Sequence, residues 1–279
     1  MRKIFILLTL FLSIKLYSQG VNAYHICYKP NKHYKFNTES YTRTITSLEG
    51  DKTIIESLGR FSVYPIEYSL LIVSEESAET GFSKIEGRVP IKYSFINGQT
   101  KTRIRNKTIV KKSPLNGVSV EGYYIDESKF APTPNCLDGL SDSIKQTIFK
   151  SVSESQNQIL FPAEQLKIGD KFTRNKSEQI PVSGLKPINC IISTEFTLID
   201  TISRVAHFSI NQSINQDSSK SNPAIDFNGV GSGDILFDKE DSFIISQIIN
   251  NAITVKFKSD NLYVIINQNN SLNEKVKIE

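Results

Sequence analysis

Apolar and polar residues alternate with a period of two along most of this chain of 279 residues. The alternation is clearest over 91–95 and 253–257, where Ile, Val, Tyr and Phe occupy every second position. Because successive side chains of a β-strand point to opposite faces, this pattern predicts strands with one buried and one solvated face. Turn residues separate the runs, as they do in antiparallel hairpins. The sequence therefore predicts a mainly β (α+β) fold with an antiparallel sheet.

Two turn signals assign connections between predicted strands. Asn97-Gly98 is the strongest hairpin signal in the chain, and it predicts a hairpin whose second strand lies over 101–110. The run 48–51 predicts a turn that leads into a further strand at 53–55. Both connections join strands that are neighbours in sequence, so we expect those strands to be neighbours in the sheet.

One segment has helical periodicity instead, and it follows a proline-rich breaker over 131–136. The spacing predicts an amphipathic helix over 137–155 that covers one side of the sheet. Because the polar face of this helix is not basic, we favour a packing role over binding to a membrane surface or a partner. Its apolar face consists of Leu137, Leu140, Ile144, Ile148 and Val152.

The N-terminus has the features of a secretory signal peptide. Two basic residues precede an apolar run over 4–14, which is too short for a stable membrane anchor. Ser18 marks one cleavage position and Ala23 an alternative. We therefore predict that residues 1–18 are removed and that the protein is exported to the periplasm or secreted. No cysteine follows either cleavage position directly and no later segment is long and apolar enough to span a bilayer, so neither a lipid anchor nor a transmembrane segment is expected.

The predicted mature chain, 19–279, is close to the length at which a single hydrophobic core begins to divide. We predict a single β-rich domain. Two coupled halves, about 24–130 and 156–279, joined by the predicted helix, are the alternative.

The charge of the chain argues against nucleic acid as a partner. The chain has 33 Lys and Arg against 29 Asp and Glu, and the predicted signal peptide removes three of the basic residues. The densest basic stretch has a spacing that is typical of the solvent face of one strand. A surface for an anionic ligand or for lipid headgroups is the alternative. The stretch consists of Lys101, Arg103, Arg105, Lys107, Lys111 and Lys112.

Three cysteines, Cys27, Cys136 and Cys190, allow at most one intramolecular disulfide in an oxidising compartment. We predict a disulfide between Cys136 and Cys190, with separately buried thiols as the alternative. The spacing of the cysteines matches no metal site.

No arrangement typical of catalysis or of metal binding is recognisable. His25, His33 and His207 stand in no ligand spacing. The run 231–233, Gly-Ser-Gly, lacks the spacing of a nucleophile elbow and the lysine of a phosphate loop. The paired carboxylates at 75–76 are interpreted as solvated charge in a turn. The sequence therefore predicts no catalytic, cofactor-binding or metal-binding residues, and a protein that is not an enzyme.

Three short motifs, at 28–34, 161–172 and 229–238, resemble the signature of uncharacterised exported envelope proteins with a LolA-like (lipoprotein-carrier-like) fold. In the run 161–172, Phe-Pro is followed by aliphatic residues, Gly-Asp and an aromatic residue. The resemblance implies a half-barrel, in which a curved antiparallel sheet packs on one amphipathic helix and leaves an apolar concavity. Relatives with this fold bind acyl chains or other proteins, and the resemblance implies no activity.

Three functional hypotheses follow. The leading one is a non-enzymatic protein of the cell envelope that binds an apolar ligand or lipid, or a protein partner, in the concavity of a curved sheet. The second is a structural or surface-interaction protein with a filled core, and the third is a hydrolase. A continuous apolar cavity on one face of the strands would distinguish the first hypothesis from the second.

Overall fold

The computed structural model describes most of the chain from residue 24 onward. The described residues are 24–59, 65–82, 84–85, 88–125, 129–133, 137–155, 161–162, 165–180, 187–217, 219, 224–259 and 261–279. The predicted signal peptide, residues 1–18, and Cys136 lie outside them.

The described part of the chain contains twelve strands and two α-helices. In chain order they are β1 (His33–Gly50), α1 (Lys52–Gly59), β2 (Ile66–Thr80), β3 (Val89–Ile104), β4 (Lys107–Lys112), β5 (Ser119–Ile125), β6 (Lys129–Pro132), α2 (Asp142–Ser155), β7 (Lys171–Ile180), β8 (Ile188–Ile202), β9 (Val205–Gln216), β10 (Ile225–Asp238), β11 (Phe243–Ser259) and β12 (Leu262–Ile278).

All twelve strands belong to one antiparallel sheet. Its order is β6-β5-β3-β2-β1-β12-β11-β10-β9-β8-β7, with β4 paired to β3 beside this path. The first and last strands pair along almost their whole length, from 34–50 to 262–278, and so join a meander of β1–β6 to a meander of β7–β12. The predicted mainly β, antiparallel fold is confirmed. The choice between one domain and two coupled halves stays a prediction.

The hairpin predicted at Asn97-Gly98 is wrong. Both residues lie inside β3, beside a β-bulge in the pairing of β2 with β3. Here β3 exchanges its outer partner, β5, for β4. The chain turns later, at Arg105, which adopts a φ of 53°. Gly98 allows Ser113 to pack closely against β3 and does not form a turn, because a Cβ at this position would lie 2.8 Å from the Cβ of Ser113.

The strand predicted at 53–55 is also wrong, because the helix α1 occupies this stretch. The Asp51 carboxylate accepts hydrogen bonds from the backbone N–H groups of Thr53, at 2.8 Å, and Ile54, at 3.4 Å. These are donors that the first turn of a helix leaves without an internal partner. The aspartate therefore acts as a helix N-cap and not as a residue of a β-turn.

Helix α2 confirms part of the predicted helix. It begins at Asp142, later than predicted, because Gly139 adopts a φ of 81° that interrupts the helical path. The Ser141 hydroxyl accepts a hydrogen bond at 3.4 Å from the N–H group three residues later and so caps the helix. Ile148 and Val152 are fully buried and belong to the core, as the apolar spacing predicts.

The larger of two apolar clusters, cluster 1, lies on one face of the sheet and contains the segment 24–28 and residues of α2. The ring of Tyr28 packs against Tyr124 of β5 and Phe243 of β11, at centroid distances of 4.9 and 5.1 Å. Four strands separate β5 from β11 in the sheet. Because one ring contacts both strands, the sheet curves around the segment 24–28, and the face that carries the core is its concave face.

Cluster 2 occupies the other end of the concave face on β8–β12. Polar side chains separate it from cluster 1. Thr42 donates a hydrogen bond to Asn270 at 3.0 Å, and Gln212 donates one to Thr194, also at 3.0 Å. Cluster 2 consists of Ile188, Cys190, Ile214, Phe227, Ile253, Val255 and Ile266.

Candidate functional site

The concave face opens into a cavity of about 620 Å³ between β2, β3 and β4. This volume is typical of small-molecule sites. Its lining includes six apolar residues, and two of them, Ile72 and Ile109, are 41% and 49% exposed. Two others, Phe95 and Leu115, are buried and connect the cavity to cluster 1. The cavity is therefore an opening at the margin of the core.

The loop 113–117 forms one end of the cavity. The backbone N–H of Ser113 donates a hydrogen bond at 2.8 Å to the carbonyl of Gly98, and the Asn116 amide donates a second one at 3.1 Å. A third bond, at 2.8 Å, joins the last residue of the loop to the carbonyl of Phe95. Because both acceptor carbonyls, those of Gly98 and Phe95, belong to the bulged part of β3, the bulge positions the loop.

The polar part of the lining includes a carboxyl group, that of Glu76. The Tyr93 hydroxyl donates a hydrogen bond to it. Burial raises the pKa of Glu76, and hydrogen bonds from Tyr93 and Ser74 oppose this effect without cancelling it. The prediction of a solvated carboxylate in a turn is wrong for Glu76, because the residue lies within β2 and faces the core.

A second carboxyl group with a raised pKa lies on the concave face of β12. Glu274 is opposite Thr38 in the β1–β12 pair, and the threonine hydroxyl donates a hydrogen bond to it at 3.2 Å. Burial is the main cause of the raised pKa of Glu274, and the charge of Glu76 raises it further. The two acids therefore interact across β1. Neither Glu76 nor Glu274 was predicted from the sequence to be a buried acid, although each occupies a core-facing position of its strand.

The lining also contains two cations, Lys111 and Lys112, and a second acid, Glu75. The hydroxyl group of Thr100, the cross-strand neighbour of Lys111, lies there as well. The cavity thus combines aliphatic surface with two positive charges, hydroxyl groups and two carboxyl groups, and burial raises the pKa of one of them, Glu76. Such a lining suits a ligand that has both an aliphatic part and a polar part.

The three histidines belong to different elements of the fold. His25 is exposed within the segment 24–28, and His33 lies between two glutamates at 3.9 Å. His207 is 2.8 Å from the carboxylate of Asp234 on the neighbouring strand. No group of three or more potential metal ligands was found within the described residues.

The thiol of Cys190 is buried in cluster 2 and donates a hydrogen bond at 3.5 Å to the carbonyl of Glu178. Burial raises the pKa of this thiol, which disfavours the reactive thiolate. Because Cys136 lies outside the described residues, its predicted disulfide with Cys190 stays a prediction.

The basic stretch does not form the face of a single strand. Lys101 and Arg103 lie on the convex face of β3, whereas Lys107 and Lys111 of β4 pair with residues of the concave face. The prediction of one solvated strand face is therefore wrong, because the turn at Arg105 reverses the chain within the stretch. Neither α1 nor α2, the helices of the described chain, is long and apolar enough to cross a membrane.

Comparisons with known proteins do not assign a family. No family model matches the sequence, and no curated protein matches it. Among solved structures, a chain of lipovitellin, from a study of lipid–protein interactions, is similar at a TM-score of 0.45 and 10% identity. The match covers 90% of this chain but only 26% of the lipovitellin chain.

Two weaker similarities are to the enduracididine biosynthesis enzyme MppR and to a botulinum neurotoxin of type C that interacts with gangliosides. Their TM-scores are 0.10 and 0.09, at 5% and 11% identity. These matches cover 90% of both chains for MppR, and 88% of this chain and 78% of the neurotoxin chain. With TM-scores below 0.5, none of the three supports an inference about this chain.

Proposed function

We propose that this protein is a non-enzymatic, exported protein of the cell envelope that binds an amphipathic ligand with an aliphatic chain in the cavity between β2, β3 and β4. The observation that carries this proposal is that Ile72 and Ile109, both about half exposed, face one cavity of about 620 Å³. Covering the remaining exposed surface of each would contribute about 1 kcal/mol to binding.

The polar groups of the lining indicate where the head of such a ligand lies. Lys111 would attract a carboxylate or phosphate, and the hydroxyl group of Thr100 beside it would offer a hydrogen bond. The aliphatic chain would then extend along Ile72 towards Phe95, at the margin of cluster 1. This arrangement favours a single-chain lipid, such as a fatty acid, over a purely apolar compound.

The likeness to LolA-like carriers belongs to the same proposal. It is supported by the motif at 161–172, since its Gly-Asp pair makes the turn that leads into β7, with Gly169 at a φ of 93°. The aromatic residues at the two ends of the motif, Phe161 and Phe172, contact each other at a centroid distance of 5.7 Å. They pack on cluster 1 together, as in a sheet wrapped around its core.

The alternative of a surface-interaction protein with a filled core is favoured by a different observation. Within cluster 1 the chain's own segment 24–28 occupies the concavity, and Tyr24 contacts Phe208 and Phe237 at centroid distances of 5.2 and 5.5 Å. This end of the concave face therefore has its own apolar filling. A ligand would have to bind at the β2–β4 end.

The test is a titration with a fluorescent single-chain fatty acid, combined with native mass spectrometry of the protein purified from its own envelope fraction. A bulky residue in the cavity, Thr100→Trp, is expected to weaken binding at least tenfold. Lys101→Trp is the matched control, because the adjacent side chain lies on the convex face. Equal binding by the two variants, or no binding by the unmodified protein, would contradict the proposal and favour the surface-interaction alternative.

A further inference from the structure

The β3–β4 hairpin stands out from the rest of the sheet. All six residues of β4 are exposed, and β4 pairs with β3 alone among the described strands. Because β3 is also paired with β2 along this stretch, β4 forms an exposed edge of the sheet beside the mouth of the cavity. A solvated edge strand of this kind contributes little to the core, so its side chains are free to serve binding.

Six cations are concentrated in this hairpin, two on the part of β3 that pairs with β4, one at the turn and three on β4. Their cross-strand neighbours are uncharged: Leu71 and Val110 flank Lys101, and Ser69 and Thr108 flank Arg103. Within the described part of the chain, Lys101, Lys107, Lys111 and Lys112 make no ion pair. The nearest acid in register, Glu67, is bound to Arg43 at 2.8 Å and also interacts with the charge of Arg103. The four lysines of the hairpin thus carry uncompensated positive charge.

Exposed aliphatic side chains lie among these cations. Ile104, Ile109 and Val110 are 45%, 49% and 58% exposed. In β4 the order is Lys107-Thr108-Ile109-Val110-Lys111-Lys112, so two adjacent aliphatic residues stand between basic ones, one on each face of the hairpin. Cations together with exposed aliphatic groups are the combination that binds the interface of an anionic membrane.

Protection of an exposed sheet edge explains part of this pattern but not all of it. Lysines on an edge strand disfavour pairing with another chain. They do not account for Lys101 and Arg103 on β3, which is not an edge, and exposed Ile109 and Val110 would favour edge pairing. Nucleic acid is disfavoured for a similar reason, because aliphatic groups add little to the binding of a phosphate backbone.

We propose that the β3–β4 hairpin docks on an anionic lipid surface. Docking there would place the bilayer at the cavity mouth, because Ile109 and Lys111 belong to both the hairpin and the lining. A ligand of the proposed class could then pass between bilayer and cavity without crossing bulk water. The docking surface itself depends only on the charges and aliphatic groups of the hairpin, and so it stands independently of the ligand.

The experiment is cosedimentation of the mature chain with vesicles of mixed phosphatidylglycerol and phosphatidylcholine, and with vesicles of phosphatidylcholine alone, at low and at high salt. We expect binding to the anionic vesicles only, and weaker binding at high salt. The variant Lys101→Gln/Arg103→Gln/Lys107→Gln is expected to weaken binding on the order of 100-fold. Val110→Ser is expected to weaken it about threefold while the salt dependence is retained.

None of the four residues substituted lines the cavity. Fatty-acid binding measured without vesicles is therefore expected to survive these changes, which separates failure of the docking proposal from failure of the proposed function. The matched control, Lys239→Gln/Lys258→Gln/Lys275→Gln, removes the same charge elsewhere. Equal weakening by both triple variants, equal binding to both kinds of vesicle, or tighter binding to a single-stranded oligonucleotide at the same salt would overturn the docking proposal.

Discussion

The hydroxyl of Tyr93 donates a hydrogen bond to the carboxyl of Glu76 across the β2–β3 pair. The register shift next to Glu76 places this acid opposite Phe95 and leaves Tyr93 two positions away on the same face. The same bulge presents the carbonyl of Gly98 to the loop at one end of the cavity. One irregularity in the strand pairing therefore positions the acid, its donor and the cavity wall.

The two buried acids are expected to make stability depend on pH. Burial raises the pKa values of Glu76 and Glu274 above the ordinary value of 4.5. The folded state therefore binds these protons more tightly than the unfolded state does. Proton binding thus contributes to the free energy of unfolding below pH 4.5, and this contribution is lost as the pH rises through the pKa values of the folded state. We expect Glu76→Gln/Glu274→Gln to raise the free energy of unfolding above neutral pH and to leave it nearly unchanged below pH 4.5, as measured by urea unfolding.

The control for this prediction is Glu75→Gln. Glu75 is exposed on the convex face next to Glu76, so its substitution is expected to leave the pH dependence of unfolding unaltered. A double variant whose stability varies with pH as that of the unmodified protein does would show that the buried carboxyl groups do not cause the effect.

Two glycines of β10 are expected to differ in their tolerance of alanine. A Cβ at Gly233 would lie 2.0 Å from the backbone carbonyl oxygen of Ile248, which cannot move without disturbing the sheet. At Gly231 the nearest atoms are the side-chain oxygens of Asn251 and Gln212, which can rotate away. We expect Gly233→Ala to destabilise the protein by about 2–3 kcal/mol and Gly231→Ala by less than about 1 kcal/mol in urea unfolding. Equal losses would contradict this assignment of the close contact.

Helix α2 is expected to stabilise the sheet through a small number of buried side chains. Ile148 is completely buried in cluster 1. Truncation by Ile148→Ala removes apolar contacts and leaves a cavity, so we expect a loss of about 2–5 kcal/mol in the free energy of unfolding. Gln146→Ala, on the exposed side of the same helix, should change it by no more than about 0.5 kcal/mol. A small effect of Ile148→Ala would mean that the helix is not an essential part of the core.

The turn between β10 and β11 depends on a buried carboxylate. Asp238 accepts hydrogen bonds from the N–H groups of Glu240, at 2.9 Å, and Asp241, at 3.1 Å, and lies 2.9 Å from the guanidinium group of Arg204. Asp238→Ala leaves these donors without their acceptor, and we expect it to cost about 2–3 kcal/mol of stability. Glu240→Ala removes only an exposed ion pair and should cost less than about 1 kcal/mol. Thermal unfolding of both variants tests this difference, and a larger loss for Glu240→Ala would refute it.

The fold class could be predicted because its signals are local. The alternation over 253–257 correctly predicts part of strand β11, and the apolar spacing of Ile148 and Val152 correctly predicts the core face of α2. Each of these patterns depends on the directions of side chains along one element, which hold wherever that element packs. The predicted signal peptide and the disulfide of Cys190 with Cys136 stay predictions.

The candidate site could not be predicted, because it depends on contacts between distant parts of the chain. Asn97-Gly98 has the composition of a turn, yet β2, β4 and the loop 113–117 engage the chain on both sides there and hold it extended. Glu76 is indistinguishable in sequence from its exposed neighbour Glu75, and only the pairing of β2 with β1 and β3 decides which of the two faces the core.

The amino-acid sequence by itself thus determined a mainly β, antiparallel protein with one core-facing amphipathic helix, since these properties follow from periodicity along the chain. The tertiary structure alone decided the pairing of β1 with β12, the bulge beside Glu76, the cavity and the basic β3–β4 hairpin at the edge of the sheet. The physical reason is that register and burial are set by partners that lie far apart in the sequence, as Tyr34 and Ile278 do. No local pattern of residues encodes the identity of such partners.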